Sequence, residues 1–296
     1  GTTTYYEELV TFWQIERALM GTLAYPFNRF TRLEFNGGVR NISFAARAHT
    51  WTYSRTTGAL LSDETTDDVG GLPAAVNLGG GGVALVHDSG VFGGTSPILG
   101  QRFRFETSAL SGTIRYNEVL LDYRRYVRLN RALVLAGRAL HYGRYGPDAG
   151  DYRLYSLFLG DPWFMRGYDY TSVGEEVENG DPQATDLYYD RLLGTRLAVG
   201  NLELRVPLLG AVGLFPTPGV PPIEAALFFD AGAAYQPDGW AAGTSGIGGW
   251  RETLTSYGAT LRVNLLGFAV GEAALVHPND RPGKGWYWVL ALQPGF

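Results

Sequence analysis

The chain contains no cysteine, two methionines and a single lysine, Lys284. Without cysteine there are no disulfides, no thiolate metal sites and no cysteine nucleophile. All other basic side chains are arginines, and 24 Lys+Arg against 29 Asp+Glu leave a formal net charge of -5 over 296 residues. That balance gives no support to nucleic-acid binding. No run approaches twenty apolar residues, so a transmembrane helix is absent. Neither a basic n-region nor an apolar h-region follows Gly1; a secretory signal is expected to have been removed or to lie outside this sequence. The 41 glycines follow no period of three, and aromatics make up 14% of the chain, which excludes collagen-like and disordered chains.

A mean hydropathy of -0.07 ordinarily describes a water-soluble protein. A membrane β-barrel has the same average, because its strands alternate between lipid and lumen. From Phe12 onward the chain breaks into segments of roughly ten residues, rich in β-branched, aromatic and Leu residues and bounded by Gly, Pro, Asp and Asn. Twelve such segments run from Phe12–Ala24 to Trp286–Phe296, with Thr31–Val39 and Ile42–Ser54 read as separate strands. Short turns are expected at Pro26–Arg29, at Gly37–Asn41 and around Gly267. Long connections are expected at Arg55–Ala74, Asp88–Gly100, Gly143–Gly194 and Gln236–Thr255. Long loops on one rim and short turns on the other suit an outer-membrane barrel.

Alternation is cleanest toward the C-terminus. Leu202, Leu204 and Val206 share one face, and Asn201, Glu203 and Arg205 the other. Leu227, Phe229, Ala231 and Tyr235 oppose Glu224, Asp230 and Gly232. Tyr257, Leu261, Val263 and Leu265 oppose Ser256, Thr260, Arg262 and Asn264. The polar faces carry charge of both signs, which suits a wet lumen better than a dry sandwich. In the last segment Trp286, Trp288, Leu290, Leu292 and Phe296 share one side, as aromatic girdles at membrane interfaces do. A soluble sandwich strand has the same pattern.

The 52-residue connection Gly143–Gly194 is too long to be idle. Within it YSLFLGDPWFMRGYDY, Tyr155–Tyr170, is too aromatic for a fully solvated excursion. Arg166 is a rigid five-donor fork suited to carboxylates. Glu203 and Asp230, on the polar faces of the next two strands, are its candidate partners if the loop folds inward. Gly167 would allow close backbone approach.

These residues also carry a resemblance. FLGDPWFMRGYDY is similar to the loop-six motif of the Omp85 superfamily, the bacterial surface antigen (D15-like) barrels, with Arg166, Gly167 and Tyr168 on its core. NLELRVPLLG places the family's acidic residue on Glu203, and LFFDAGAAY places its inward carboxylate on Asp230. SYGATLRVNLLG resembles the next family strand, and ALQPGF resembles the closing strand. The resemblance covers about Asp151–Phe296; upstream, YPFNRF and RLEF are compatible with it. It implies an all-β, transmembrane antiparallel β-barrel of sixteen strands, against the twelve visible here. The chain 1–296 then reads as one barrel domain without preceding POTRA repeats: either four strands and any soluble domain lie outside this sequence, or they belong to another chain, or this is a true small barrel; 143–194 reads as an inward-folding loop. The resemblance further implies a loop lock of Arg166, Gly167, Tyr168, Glu203 and Asp230. Trp288, Leu290, Leu292 and Phe296 would form the C-terminal insertion signal.

The function so implied is polypeptide insertion or translocation at the bacterial outer membrane, without catalysis, cofactor or metal. The alternative is a structural, anchoring barrel subunit. Expected partners are outer-membrane lipid or lipopolysaccharide, a polypeptide client or soluble periplasmic or surface partner, and an additional barrel-forming segment, with no nucleic acid. Competing chemistries fit poorly. His87, His141 and His277 have no metal-ligand spacing. NLGGGGV, Asn77–Val83, lacks the lysine of a phosphate loop and reads as a surface turn. Glu224 and Asp230 read as lumen charge rather than as a glycosidase pair.

Overall fold

A computed structural model describes residues 3–210, 213–217, 219–238, 248–281 and 283–294. Its frame is an antiparallel meander of eleven strands: β1 (Thr4–Pro26), β2 (Thr31–Ser54), β3 (Val76–Asp88), β4 (Pro97–Gly112), β5 (Tyr116–Arg128), β6 (Val134–Tyr145), β7 (Arg196–Gly210), β8 (Ile223–Gln236), β9 (Leu254–Leu265), β10 (Ala269–Pro278) and β11 (Tyr287–Pro294). Each pairs with its neighbours in chain order, and short strands such as Leu60–Thr66 flank this path. The β1–β2 turn closes on Asn28, whose Oδ1 accepts the backbone N–H groups of Phe30 and Thr31 at 2.8 and 2.9 Å.

The expectation of a closed transmembrane β-barrel is corrected here. Among the described residues β1 pairs only with β2 and β11 only with β10, so the sheet is open with two free edges. Closure needs first and last strands matched in register and stagger. The two edges are 23 and 8 residues long, so most of β1 would find no partner on β11. Among the described residues no helix is long and apolar enough to cross a membrane.

Two sequence expectations fail for one physical reason. Gly37–Asn41 is not a turn but the middle of β2, so twelve expected strands merge toward eleven. Asn77–Val83 is not a surface turn but part of β3. The glycines of both segments lie in register: Gly21 opposite Gly37, Gly37 opposite Gly81, and Gly81 opposite Ala109. At Gly80 a Cβ would lie 2.2 Å from the Ala109 carbonyl oxygen, a collision with backbone. A Cβ on Gly38, Gly81 or Gly82 would meet neighbouring atoms at 2.1–2.8 Å in the same way, so glycine here serves the close approach of strands, not a turn.

The alternation read from sequence sets the two faces. Glu203, Glu224, Asp230 and Arg262 are buried on one face, while Leu202, Leu227, Phe229, Tyr257 and Leu261 are exposed on the other. The sheet curls around the first face, because the β3–β4 loop reaches Glu224 of β8 with four strands between them. The largest apolar cluster sits inside this curl. It joins Leu157, Leu159, Met165, Tyr168 and Val173 of the 143–194 connection to Leu140, Leu197, Val199 and Leu254 of the strands. That connection is no bare loop: it holds α1 (Tyr170–Glu178), a helical turn Pro182–Asp186 and a π-helical turn Leu187–Leu192.

Candidate functional site: a buried arginine and its carboxylates

The antiparallel register places polar side chains in rungs across adjacent strands. Asn201, Asp230 and Ser256 lie opposite one another on β7, β8 and β9. Glu224, Arg262 and Glu272 do so on β8, β9 and β10. Between these rungs lies a third, Glu203–Phe228–Gly258. A Cβ on Gly258 would collide with the Phe228 ring at 2.8 Å and with the Leu275 carbonyl oxygen at 2.0 Å. Glycine therefore lets the ring lie flat across the strand, and the Arg166 Cζ sits 3.7 Å from its centroid.

Arg166 enters this platform from the 143–194 loop. Its Nε and Nη2 donate to Asp230 Oδ2 and Oδ1, both at 2.8 Å, and its Nη1 donates to Glu203 Oε1 at 2.8 Å. Its backbone N–H also donates to Asp230, at 3.2 Å, and its carbonyl accepts from Ser256 Oγ at 2.7 Å. Asn201 Nδ2 bridges Asp230 Oδ1 and the Phe164 carbonyl, both at 2.9 Å. Bidentate, charge-assisted geometry of this kind is the strong form of the hydrogen bond. Burial works against the guanidinium charge, but the facing Asp230 and Glu203 outweigh it and raise the Arg166 pKa above its ordinary value.

Gly167 follows with φ +96°, and a Cβ there would press to 3.0 Å on Val276. The buried Tyr168 donates its hydroxyl to the Thr255 carbonyl at 2.7 Å and shares it with Asp280 at 3.2 Å. Burial pushes its phenol pKa up. Asp169 then caps α1, accepting from Ser172 N–H at 3.0 Å and from its hydroxyl at 2.9 Å. Glu176 on α1 meets Arg281 at 2.7 Å and Lys284 at 3.1 Å. Burial opposes the charge of Glu176, yet the two cations hold its carboxyl below the usual range.

The structure thus brings Arg166, Gly167, Glu203 and Asp230 together, with Tyr168 anchored one turn away on Asp280 and Thr255. Trp288, Leu290 and Leu292 lie on β11 with exposed side chains, and Phe296 lies outside the described residues. The three histidines stay apart: His87 meets Thr31, His141 meets Tyr145, and His277 stacks on Tyr257. Among the described residues no group of three His, Cys, Asp or Glu could hold a metal.

The sequence did not single out Glu272, Asp280 and Arg281, and it read Arg205 and Arg262 only as parts of polar faces. Arg262 is central: it donates to Glu203 at 2.8 and 2.9 Å, to Glu224 at 3.2 Å and to Glu272 at 2.6 Å. Arg205 Nε donates to Glu203 Oε2 at 2.7 Å. For Arg205, Arg262 and Glu272 the available signal was phase, since they lie on the same side of their strands as Glu203 and Asp230; Asp280 and Arg281 lie in the β10–β11 connection, where no strand phase applies. Which in-phase charges meet depends on register, which no single strand encodes. What the constellation does chemically is to hold one loop against a sheet by ion pairing.

The described sheet is antiparallel and open, and its inward loop is bound through Arg166 and Tyr168. The model of the Omp85 superfamily domain matches residues 22–269, and the chain belongs to that superfamily. The fold is similar to that of BamA from Haemophilus ducreyi in a crystal structure lacking POTRA domains 1–3. The likeness has a TM-score of 0.52 at 10% identity and covers 98% of this chain and 62% of that one. No curated protein matches the chain.

Proposed function

We propose that this protein works at the bacterial outer membrane and engages polypeptides during their insertion or translocation, as an Omp85-type protein. The observation that carries this reading is the edge of β1, which among the described residues pairs only with β2 and is mostly exposed over 23 residues. An unpaired edge of that length presents a row of backbone donors and acceptors that an incoming strand can complete. The exposed apolar face bearing Leu202, Leu227, Phe229 and Leu261 suits contact with outer-membrane lipid. The curled face is filled by the 143–194 loop and its charges, which favours work at the edge over passage through the interior.

The test is site-specific photocrosslinking from Leu9, Trp13 and Leu19 of β1 in living cells. The expected result is a set of adducts with several newly made outer-membrane polypeptides, lost when synthesis is arrested. A single stoichiometric adduct that persists after arrest would overturn it and support the anchoring role.

A further inference from the structure

A second segment reaches the charges described above, from the opposite end of the sheet. The 143–194 loop leaves the end that carries the β2–β3, β6–β7 and β10–β11 connections. Residues 89–96, between β3 and β4, leave the other end, where the β1–β2 and β9–β10 turns lie. Ser96 Oγ donates to Glu224 Oε2 at 2.6 Å, and Thr95 Oγ1 reaches the same oxygen at 3.3 Å. Arg205 Nη1 donates to Ser96 Oγ and to the Pro97 carbonyl, both at 3.2 Å. The Asn264 amide donates to the Gly94 carbonyl. Gly94 has φ +118° and packs against Pro222, so this segment is shaped to its seat.

The two loops share their anchors. Arg166 from one loop binds Glu203, and Glu203 is bound in turn by Arg205 and Arg262. Arg205 also holds Ser96 and Pro97, and Arg262 also holds Glu224, which accepts from Ser96 and Thr95. The chain of contacts from one loop to the other is therefore Arg166–Glu203–Arg205–Ser96, with a parallel branch through Arg262 and Glu224. Both loops also wall one cavity of about 250 Å³. Phe92, Thr95 and Ser96 line it from one side, and Trp163, Phe164 and Arg166 from the other.

We propose that residues 89–96 form a second latch, coupled to the Arg166 latch, so that opening either loop weakens the hold on the other. The sign follows from the shared cavity and shared donors. Lifting either loop admits water to the cavity, and ion pairs and charge-assisted hydrogen bonds weaken as the local dielectric rises. Loss of Arg166 also leaves Glu203 to draw on Arg205, which is then withdrawn from Ser96 and Pro97. Coupling of this kind is reciprocal by thermodynamic necessity. It holds whatever polypeptide or partner the protein engages.

The experiment is hydrogen exchange by mass spectrometry on the full chain. Thr95→Val with Ser96→Ala removes both hydroxyls and touches no residue of the 143–194 loop. The expected result is faster exchange in residues 163–168 by about fivefold or more, the lower end of measured couplings. Arg166→Ala should accelerate residues 89–96 by the same factor as the double variant accelerates 163–168. Strands β4 to β6 report global integrity and should keep their native rates. If the double variant loosens those strands too, Asn264→Ala decides, since it releases Gly94 and removes no charge. Asp169→Ala, which uncaps α1 outside the shared contacts, should leave residues 89–96 unchanged. Acceleration confined to the loop that carries the substitution, in either direction, would overturn the proposal.

Discussion

Replacing Arg166 with alanine isolates the central ion pair. Asp230 is fully buried and would lose two side-chain donors, keeping only Asn201 and the residue 166 backbone N–H. Glu203 would lose one of three arginines and retain Arg205 and Arg262. The cost therefore concentrates on Asp230. Removing one partner of a buried pair costs about 3–5 kcal/mol, mostly from the stranded charge. Asp230 can recover part of that by rehydration once the loop lifts, so the lower figure applies to the open loop. About 3 kcal/mol corresponds to roughly a hundredfold rise in the open population. The assay is hydrogen exchange in residues 163–168, with protease cleavage within 155–170 as a second readout. Arg166→Lys, a point charge that cannot bind Asp230 through two parallel bonds, should fall between alanine and arginine. Exchange and cleavage indistinguishable from those of the unaltered chain would refute the reasoning, because a buried unpaired carboxylate must express its cost somewhere.

Gly167→Ala should loosen the same loop by a different route, at about 1–3 kcal/mol for a non-glycine residue at positive φ, with added pressure on Val276. Faster proteolysis of the loop with an unchanged β-sheet circular dichroism spectrum is the expected result. Glu176 gives a pH dependence. Its folded pKa lies below the unfolded value, so its contribution is present above the ordinary glutamate pKa of about 4.3 and is lost as pH falls through the lower folded value. Exchange in α1, corrected for intrinsic rates, should therefore rise on acidification below about pH 4, and Glu176→Gln should remove that response.

Period-two alternation made the strands, their two faces and the inward direction of Glu203 and Asp230 legible in the sequence. An aromatic-rich loop with one arginine pointed at those carboxylates, and the structure places them at 2.8 Å. Closure was not legible: each strand's pattern is local, whereas closure is a relation between the first and last strands. Gly37–Asn41 read as a turn because glycine and asparagine favour turns in isolation. Only the register of Gly37 with Gly81 on the neighbouring strand shows that these glycines lie within paired strands. Arg262 was visible as a polar residue of the right phase, but its three carboxylates come from β7, β8 and β10, and sequence offered no way to align them.

The glycine row has a mechanical consequence. Beyond Ile42, β2 no longer pairs with β3, and the long β1–β2 ribbon continues with only Leu60–Thr66 at its side. The Gly21–Gly37–Gly81 row has no side chains to pack, and glycine within strands weakens them. From Gly21 to Thr4 the ribbon runs 17 residue steps, a lever of roughly 55 Å at 3.3 Å per residue. A tilt of about 10° at this glycine row would carry its tip by about 10 Å over that strand length. A displacement too small to disturb the hydrogen bonds at the fulcrum is thus amplified into a large excursion of the far end of β1.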